Sequence, residues 1–344
     1  MLKSKNIVVV WLCVVFILLQ QTVMAQDAVA DNMLMFQRSY GGWPKHFKGK
    51  TINYKQTFSD AEKALIATEV NKNDATIDNG ATTKEIWYLA KMYKQYHNAT
   101  YLTAVENGLR YLLKAQNKNG GWPQYFPDAS LYRSEITYND NAMINVLKVL
   151  QDVTFKRNNL DILDASLIAP SKAAIEKGID CILKTQVKVK GKLTVWCAQY
   201  DASSLKPAKA RAFELVSLSG AESVGIVEFL MEQPNPSQAI KDAITSAIAW
   251  FNTSKIVGYN FVDVPTPNTP KGKDRMLVQD ANSTIWARFY DIETNEPFFT
   301  GRDSQKKKDV KDIEYERRNG YAWYGTWPAQ LLAKKYPSWV TKNQ

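Results

Sequence analysis

The chain is 344 residues long, 45% apolar and 23% charged, a balance that excludes disordered, collagen-like and integral membrane proteins. Lys and Arg number 44 against 34 Asp and Glu, a formal net charge of +10 that fits either an anionic partner or a basic but merely soluble surface. Only His46 and His97 are present, which excludes a multi-histidine zinc site, and three cysteines are too few for a disulfide scaffold.

Lys3 and Lys5, the apolar run from Ile7 to Leu19, and the small residues Val23 and Ala25 have the layout of a secretory signal peptide over residues 1–25. The run is too short to anchor the chain in a bilayer. Cys13 leaves with it, so Cys181 and Cys197 remain, open to one bridge but read as free buried thiols because Cys181 adjoins an apolar helical stripe. Residues 26–344 show no linker and read as one domain.

That domain repeats itself. It opens on the loop Gly41-Gly-Trp-Pro-Lys-His46. Ile77-Asp-Asn-Gly-Ala-Thr-Thr83 then leads into Ile86, Leu89, Ala90 and Tyr93, the spacing of a helix with an apolar face. A second helix follows over Val105–Gln116, then the loop Gly120-Gly-Trp-Pro-Gln-Tyr125. Tyr138-Asn-Asp-Asn-Ala142 leads into Met143, Val146, Leu147 and Leu150. The next helix, Ile175–Gln186, shares Glu, Gly, Leu, Lys and Gln with Val105–Gln116 at identical offsets. The loop Trp196-Cys-Ala-Gln-Tyr200 and the stretch Ser217–Ser223 before Ile226–Leu230 continue the pattern. Val262–Lys273, with Pro265, Pro267 and Pro270, reads as a long loop. Gln279–Thr284 before Ile285–Tyr290 reads as the start of a fourth inner helix, and Gly325-Thr-Trp-Pro328 as the last tryptophan loop. Alternating inner and outer helices predict an all-α fold, an α/α toroid of about three helical-hairpin repeats whose long irregular loops line a central groove.

The tryptophans of these loops are expected to pack the end of the ring. Asp78-Asn79 and Asn139-Asp140-Asn141 stand at equivalent ends of two inner helices, where Asx residues either cap the helix or offer oxygen ligands to a hard cation such as calcium. The third repeat has Ser217-Leu-Ser-Gly220 instead, so that end is not expected to bind metal. Lys206, Lys209 and Arg211 cluster in the third loop, and Arg288, Arg302, Arg317 and Arg318 follow the fourth; arginine offers a planar fork to carboxylates. Lys306–Lys308 reads as a solvated turn. A cation plus arginines suits β-elimination from an acidic sugar polymer. A charge held on the uronate carboxylate eases loss of the adjacent C5 proton to a base.

Thr76-Ile-Asp-Asn-Gly-Ala-Thr82, Ile136-Thr-Tyr-Asn-Asp-Asn-Ala142, Pro207-Ala-Lys-Ala-Arg-Ala-Phe-Glu214, Arg288-Phe-Tyr-Asp291 and Gly301-Arg302 come in one order across nearly the whole mature chain. Together they resemble the pectate lyases of polysaccharide lyase family 10. The resemblance implies a secreted or periplasmic, calcium-dependent enzyme acting on polygalacturonate as a monomer, with no nucleic-acid partner and no membrane attachment once the signal is removed. It implies that Asp78 and Asp140 hold calcium, that Arg211 is the general base, and that Arg288, Arg302 and Arg317 (or its neighbour Arg318) bind substrate carboxylates. Asn79 and Asn141 carry over beside the acidic ligands, and Lys209 is counted with Asn79 on the substrate side; if close in space it would also ease proton loss from Arg211. The alternative on the same toroid is a glycoside or unsaturated-uronyl hydrolase using Asp78 and Asp140 as paired carboxylates with water. A binding protein that retains the groove without turnover is the third reading.

Overall fold

The computed structural model describes residues 27–343. The expected signal peptide lies outside the described residues. Three helical hairpins follow one another: α3 (Thr83–Tyr96) with α4 (Ala99–Ala115), α5 (Ala142–Thr154) with α6 (Ile168–Thr185), and α7 (Glu222–Met231) with α8 (Gln238–Ser254). Ahead of them, α1 (Ala28–Phe36) packs on α3 and α4, and α2 (Asp60–Thr68) packs on α1. The inner helices α3, α5 and α7 lie side by side, as do the outer helices α4, α6 and α8. α5 is sandwiched, so it buries Met143, Ile144, Val146, Leu147, Val149, Leu150 and Val153 almost all round. The outer helices bury a single stripe, such as Val105, Leu109 and Leu112 of α4.

Two side-chain contacts recur in each repeat and set its spacing. A glutamine just past an outer helix donates both to the following loop and to the next outer helix. Gln37 reaches Gly41 O (2.8 Å) and Ala104 O (2.9 Å), Gln116 reaches Gly120 O (2.9 Å) and Ala174 O (2.8 Å), and Gln186 reaches Thr194 O (2.8 Å) and Ala243 O (3.0 Å). The loop tryptophan then donates its indole N–H back to the outer helix it follows: Trp43 to Met33 O (2.8 Å), Trp122 to Leu112 O (2.7 Å) and Trp196 to Ile182 O (2.7 Å). Whereas Trp327 of the last loop is only partly buried, Trp43, Trp122, Trp196 and Trp323 are fully buried, as core-packing residues should be. The repeated glycines of the outer helices make room for them. A Cβ on Gly108 would stand 2.8 Å from the Trp43 ring, and one on Gly178 would stand 2.6 Å from Leu147.

The all-α expectation fails after α8. Ile256–Pro265 (β1) and Lys273–Ala287 (β2) form a long antiparallel hairpin, and Tyr324–Gly325 (β3) adds to the end of β2, giving a sheet ordered β3-β2-β1. The Pro-rich stretch read as a long loop is loop over residues 266–272, closed by Thr266 N donating to Gly272 O at 2.9 Å, while its two ends, 262–265 and Lys273, belong to the strands of the hairpin. The expected fourth inner helix at Ile285–Tyr290 is also absent. Asp280 binds Asn282 N (3.2 Å) and the Ser283 hydroxyl (2.5 Å) in a local turn rather than capping a helix, and β-branched Thr284 and Ile285 continue the strand.

What stands there is a fourth copy of the tryptophan loop. Trp286 donates to Phe251 O of α8 (2.8 Å), and Tyr290 OH accepts from Ala287 N (3.0 Å) as Tyr200 OH accepts from Cys197 N (2.7 Å). Asp291 then closes a turn on Glu293 N and Thr294 N, as Asp201 does on Ser203 N and Ser204 N. The last helical segment is a wide turn over Leu331–Lys335 running into α10 (Tyr336–Asn343), joined to α7 by the Lys335–Glu228 ion pair (2.7 Å). A ring of helices alone therefore gives way to three hairpins completed by a sheet, loops and this C-terminal segment. Cys181 and Cys197 are free and buried; burial pushes their thiols up to about 11 and about 12.

Gln186 makes both its hydrogen bonds in the interior. Gln186→Leu leaves the buried Thr194 carbonyl unpaired and strips the Ala243 carbonyl of its second donor, and urea unfolding should show a loss of about 1–3 kcal/mol.

Candidate functional site

The N-termini of the three inner helices come together at one end of the molecule. The turns Asp78–Gly80 and Asn139–Asn141 pack on each other, and the second also packs on the start of α7. Neither aspartate is a cap: the residues at the cap positions of α3 and α5, Thr82 and Asn141, make no side-chain capping bond. Asn79 (φ 48°) and Asp140 (φ 50°) instead adopt left-handed backbone, which turns the chain sharply and presents their side chains at the helix ends, where the helix dipoles favour negative charge.

Asp78 is buried, with Oδ2 2.5 Å from the ammonium of Lys45 in the first tryptophan loop. The Asn79 amide joins the two aspartate turns: with its nitrogen toward Asp140 it donates to Oδ2 at 3.2 Å while its oxygen accepts from Lys45. Burial first, and then the negative charge of Glu222, push the Asp140 carboxyl above the usual carboxylate range, against the pull of Arg288. The Asn141 amide fills the space over Gly225 of α7, where a Cβ would stand 2.1 Å from Oδ1, and so joins this turn to α7.

Glu222, in the first turn of α7, is a charge the sequence reading passed over. It is buried, bonded to the Ser219 hydroxyl and ion-paired with Arg288. Its signal in the sequence is the Glu two residues past Ser217-Leu-Ser-Gly220, an acidic side chain in place of the Asx residues of the other repeats. Among the described residues no three Asp, Glu, His or Cys gather closely enough to hold a metal by themselves.

The arginines fall into two kinds. Arg288 follows the last residue of β2; its side chain is 12% exposed, Nη2 lies 3.7 Å from Asp140 Oδ1, its guanidinium stands 4.9 Å from the Tyr321 ring centroid, and its buried Nε has no partner. Arg317 lies on the short helix α9 (Tyr315–Gly320) with its side chain 9% exposed. It stacks 3.6 Å from the Phe213 ring centroid, and neither Nε nor Nη2 has a partner. Burial depresses its pKa below the ordinary guanidinium value, and the nearby Arg211 and Arg302 add to the effect against Glu316. Arg318 is different: it grips Asp274 through two bonds (2.8 and 2.5 Å) and donates to Ile313 O, so it holds α9 on the hairpin and is spoken for.

Arg211 is half-exposed and held by Glu214 in a two-pronged ion pair (2.7 and 2.5 Å), while Tyr321 OH donates to the same carboxylate (3.1 Å). The hydrogen bonds and charge of Glu214 raise the Arg211 pKa well above normal, against the effect of burial. Burial pushes Glu214 up, but Arg211 outweighs it and holds the carboxyl low. Glu214, Phe213 and Tyr321, none of them singled out as site residues from sequence, thus form the seat of two arginines. Lys209 is exposed, and the charges acting most strongly on Arg211 are those of Glu214, Tyr321 and Tyr132. Arg302 is 64% exposed and paired with Glu316 (3.1 and 2.6 Å) on the rim. Lys306 is not a free turn residue; it pairs with Asp291 at 2.5 Å.

The family model for pectic acid lyase matches residues 37–332. A family 10 polysaccharide lyase from Cellvibrio cellulosa superposes with a TM-score of 0.79 at 36% identity over 91% of this chain and 92% of that one. A point mutant of family 10 polysaccharide lyase from the same organism, in complex with trigalacturonic acid, gives 0.77 and 36% over 90% and 92%. Among curated proteins none matches.

The two adjacent arginines should respond oppositely to truncation. Arg318→Met strands the buried Asp274 carboxylate and should cost about 3–5 kcal/mol in thermal unfolding. Arg317→Met removes a buried guanidinium whose Nε and Nη2 have no partner and whose ion pair with Glu316 is long at 3.9 Å, so its Tm should be unchanged or higher.

Proposed function

The chain belongs to the pectic acid lyase family, and on that footing we propose that it is an exported, calcium-dependent pectate lyase, monomeric, that cleaves α-1,4-linked polygalacturonate by β-elimination with Arg211 as base. The observation that carries the substrate class is the set of buried guanidinium N–H groups without partners, Arg288 Nε and Arg317 Nε and Nη2. Cationic donors desolvated in this way are costly unless an anion completes them, and a sugar carboxylate accepts two parallel N–H bonds. The similar lyase solved with trigalacturonic acid supports the same ligand.

Asp78, Asp140 and the Asn79 amide oxygen are all-oxygen donors and suit calcium, with Lys45 now among them as a positive charge. Two carboxylates and an amide leave room in a shell of about six to eight oxygens for a substrate carboxylate and water. When bound, the cation supplies positive charge to the uronate carboxylate and so acidifies the C5 proton.

This chain's own residues would then divide the work. Arg288 and Arg317 hold a sugar carboxylate in a dry pocket floored by Phe213 and Tyr321, and Arg302 and Lys209 meet the chain at the rim. Arg211 takes the C5 proton, the electron pair forms the C4–C5 double bond, and the C4–O bond breaks, with a proton from solvent water passing to the departing O4. Tyr321 stays a neutral phenol, since burial lifts its pKa far out of range. Export by residues 1–25 would deliver the enzyme, secreted or periplasmic, to calcium and polymer.

Mature protein incubated with polygalacturonate at alkaline pH should generate ultraviolet absorbance of the unsaturated product that a chelator abolishes. New reducing ends without absorbance would instead mark a hydrolase. Arg211→Ala should lower the rate by about 10²–10⁴-fold while oligogalacturonate binding persists; an active variant removes Arg211 from the role of base.

A base form of Arg211 accumulates as pH rises toward its pKa, and Glu214 raises that pKa. Glu214→Gln should therefore move the rising limb of the kcat/KM profile to lower pH, by about one unit or more. An unmoved limb would show that Glu214 does not set the protonation of the base.

A further inference from the structure

Each repeat must span from the bridging glutamine to the loop tryptophan. Gln37–Trp43 and Gln116–Trp122 are equal in length, whereas Gln186–Trp196 is four residues longer. The extra residues form a small hairpin, with Lys188–Val189 paired to Lys192–Leu193 about a turn at Lys190 and Gly191. Three of its residues are lysines.

In the preceding repeat the equivalent junction is sealed. Asn119 reaches across to the turn of the next loop, donating to Ala202 O (2.8 Å) and Ser203 O (3.1 Å). At the lysine hairpin the corresponding turn contains Thr294 and Asn295, but Asn295 accepts from the Trp250 indole instead (2.8 Å). Between hairpin, α8 and turn an open groove of about 790 Å3 remains. Lys188, Lys190 and Lys192 line it together with Trp250 and the hydroxyls of Thr253 and Thr294, and no carboxylate does. None of the three lysines forms an ion pair among the described residues. The groove follows the C-terminal end of α6, the end of the molecule at which the tryptophan loops and inner-helix N-termini gather.

We propose that this groove is a second, non-catalytic binding site for a stretch of the polygalacturonate chain, holding polymer at the enzyme while cleavage proceeds elsewhere on the same end. The proposal rests on the lyase reading for the identity of the polyanion. Three unpaired cations beside a polar and aromatic floor suit a polymer with one carboxylate per sugar. A short oligomer that fills the cleavage site gains nothing from the groove, whereas a long chain engages both sites and gains by effective concentration.

The test is the triple variant Lys188→Gln, Lys190→Gln, Lys192→Gln, alone and combined with Arg211→Ala to prevent turnover during binding. With trigalacturonate, kcat/KM should equal that of the parent. With long polygalacturonate, KM should rise and kcat hold, and the dissociation constant of the inactive form should increase about tenfold, the sum of three exposed pairs. Equal affinity of parent and triple variant for the polymer overturns the proposal. So does an equal loss of affinity for double-stranded DNA at the same salt, which would make the hairpin a general polyanion patch. If neither protein cleaves any galacturonate, the lyase reading falls; the polymer-binding comparison still decides the groove.

Discussion

The indole N–H of each loop tryptophan, tied to a carbonyl of the helix before it, is the contact on which the site depends. Trp43, Trp122, Trp196 and Trp286 make the same bond at 2.7–2.8 Å to α1 and to the three outer helices α4, α6 and α8 in turn. Each such bond contributes only about 0.5–1.5 kcal/mol net, but the buried ring carries far more through its area. Leaving each ring, the chain is fixed in position and direction, and it can afford the left-handed turns at Asn79 and Asp140 that would otherwise be strained. The backbone that leads to the carboxylates at the inner-helix ends is tied to the tryptophan loops, with Thr76 N, Thr137 N and Ser219 N donating to Trp43 O, Trp122 O and Trp196 O, while the side chains add contacts of their own with Lys45, Asn79 and Ser219.

Against those carboxylates stand cations that folding alone would not choose. Arg317 is buried on an aromatic ring with two donors unpaired, and Arg288 has one. In a low-dielectric pocket such groups weaken the fold, and the ring faces of Phe213 and Tyr321 return part of the loss. The contrast with Arg318 is instructive. One residue further along a six-residue helix, the same side chain is satisfied by Asp274 and backbone carbonyls, so it anchors α9 and leaves Arg317 pointing at the groove. Arg211 lies between these extremes, half-exposed and neutralised by Glu214, in a state where it can exchange partners.

Much of this was legible in the residues. The match between Val105–Gln116 and Ile175–Gln186 gave two outer helices, and their glutamines and glycines turned out to be the bridging and ring-packing positions. The turns bearing Asp78 and Asp140 did come together. What the sequence concealed has physical causes. Ile285, Trp286 and Phe289 have helical spacing, but they straddle a strand end and a loop, and local pattern cannot tell such short apolar runs apart. Asp280–Ser283 looked like a helix start because Asx residues serve strand-interrupting turns as readily as caps. Glu222 was hidden because its partner Arg288 lies far along the chain and is brought to it only by tertiary packing, whereas Glu214 meets Arg211 across a local turn that residue pattern alone does not reveal.

The departure from an all-helical ring is also what completes the site. The hairpins α3–α4, α5–α6 and α7–α8 deliver negative charge and amides at the inner-helix ends: Asp78, Asn79, Asp140 and Glu222. The buried arginines come from the non-helical half of the molecule. Arg288 directly follows β2, where the fourth tryptophan loop begins, and Arg317 rides on α9, whose Arg318 and Asn319 hold Asp274 of the same strand. A fourth helical hairpin could not have put a guanidinium beside Asp140 and Glu222 in this way, because a helix in that place would itself begin there and present its N-terminus, which favours anions rather than cations. Replacing the helix with a strand and loop removes that positive dipole and lets a cation stand against the carboxylates. The sheet is therefore part of the site's electrostatics as well as of its scaffold.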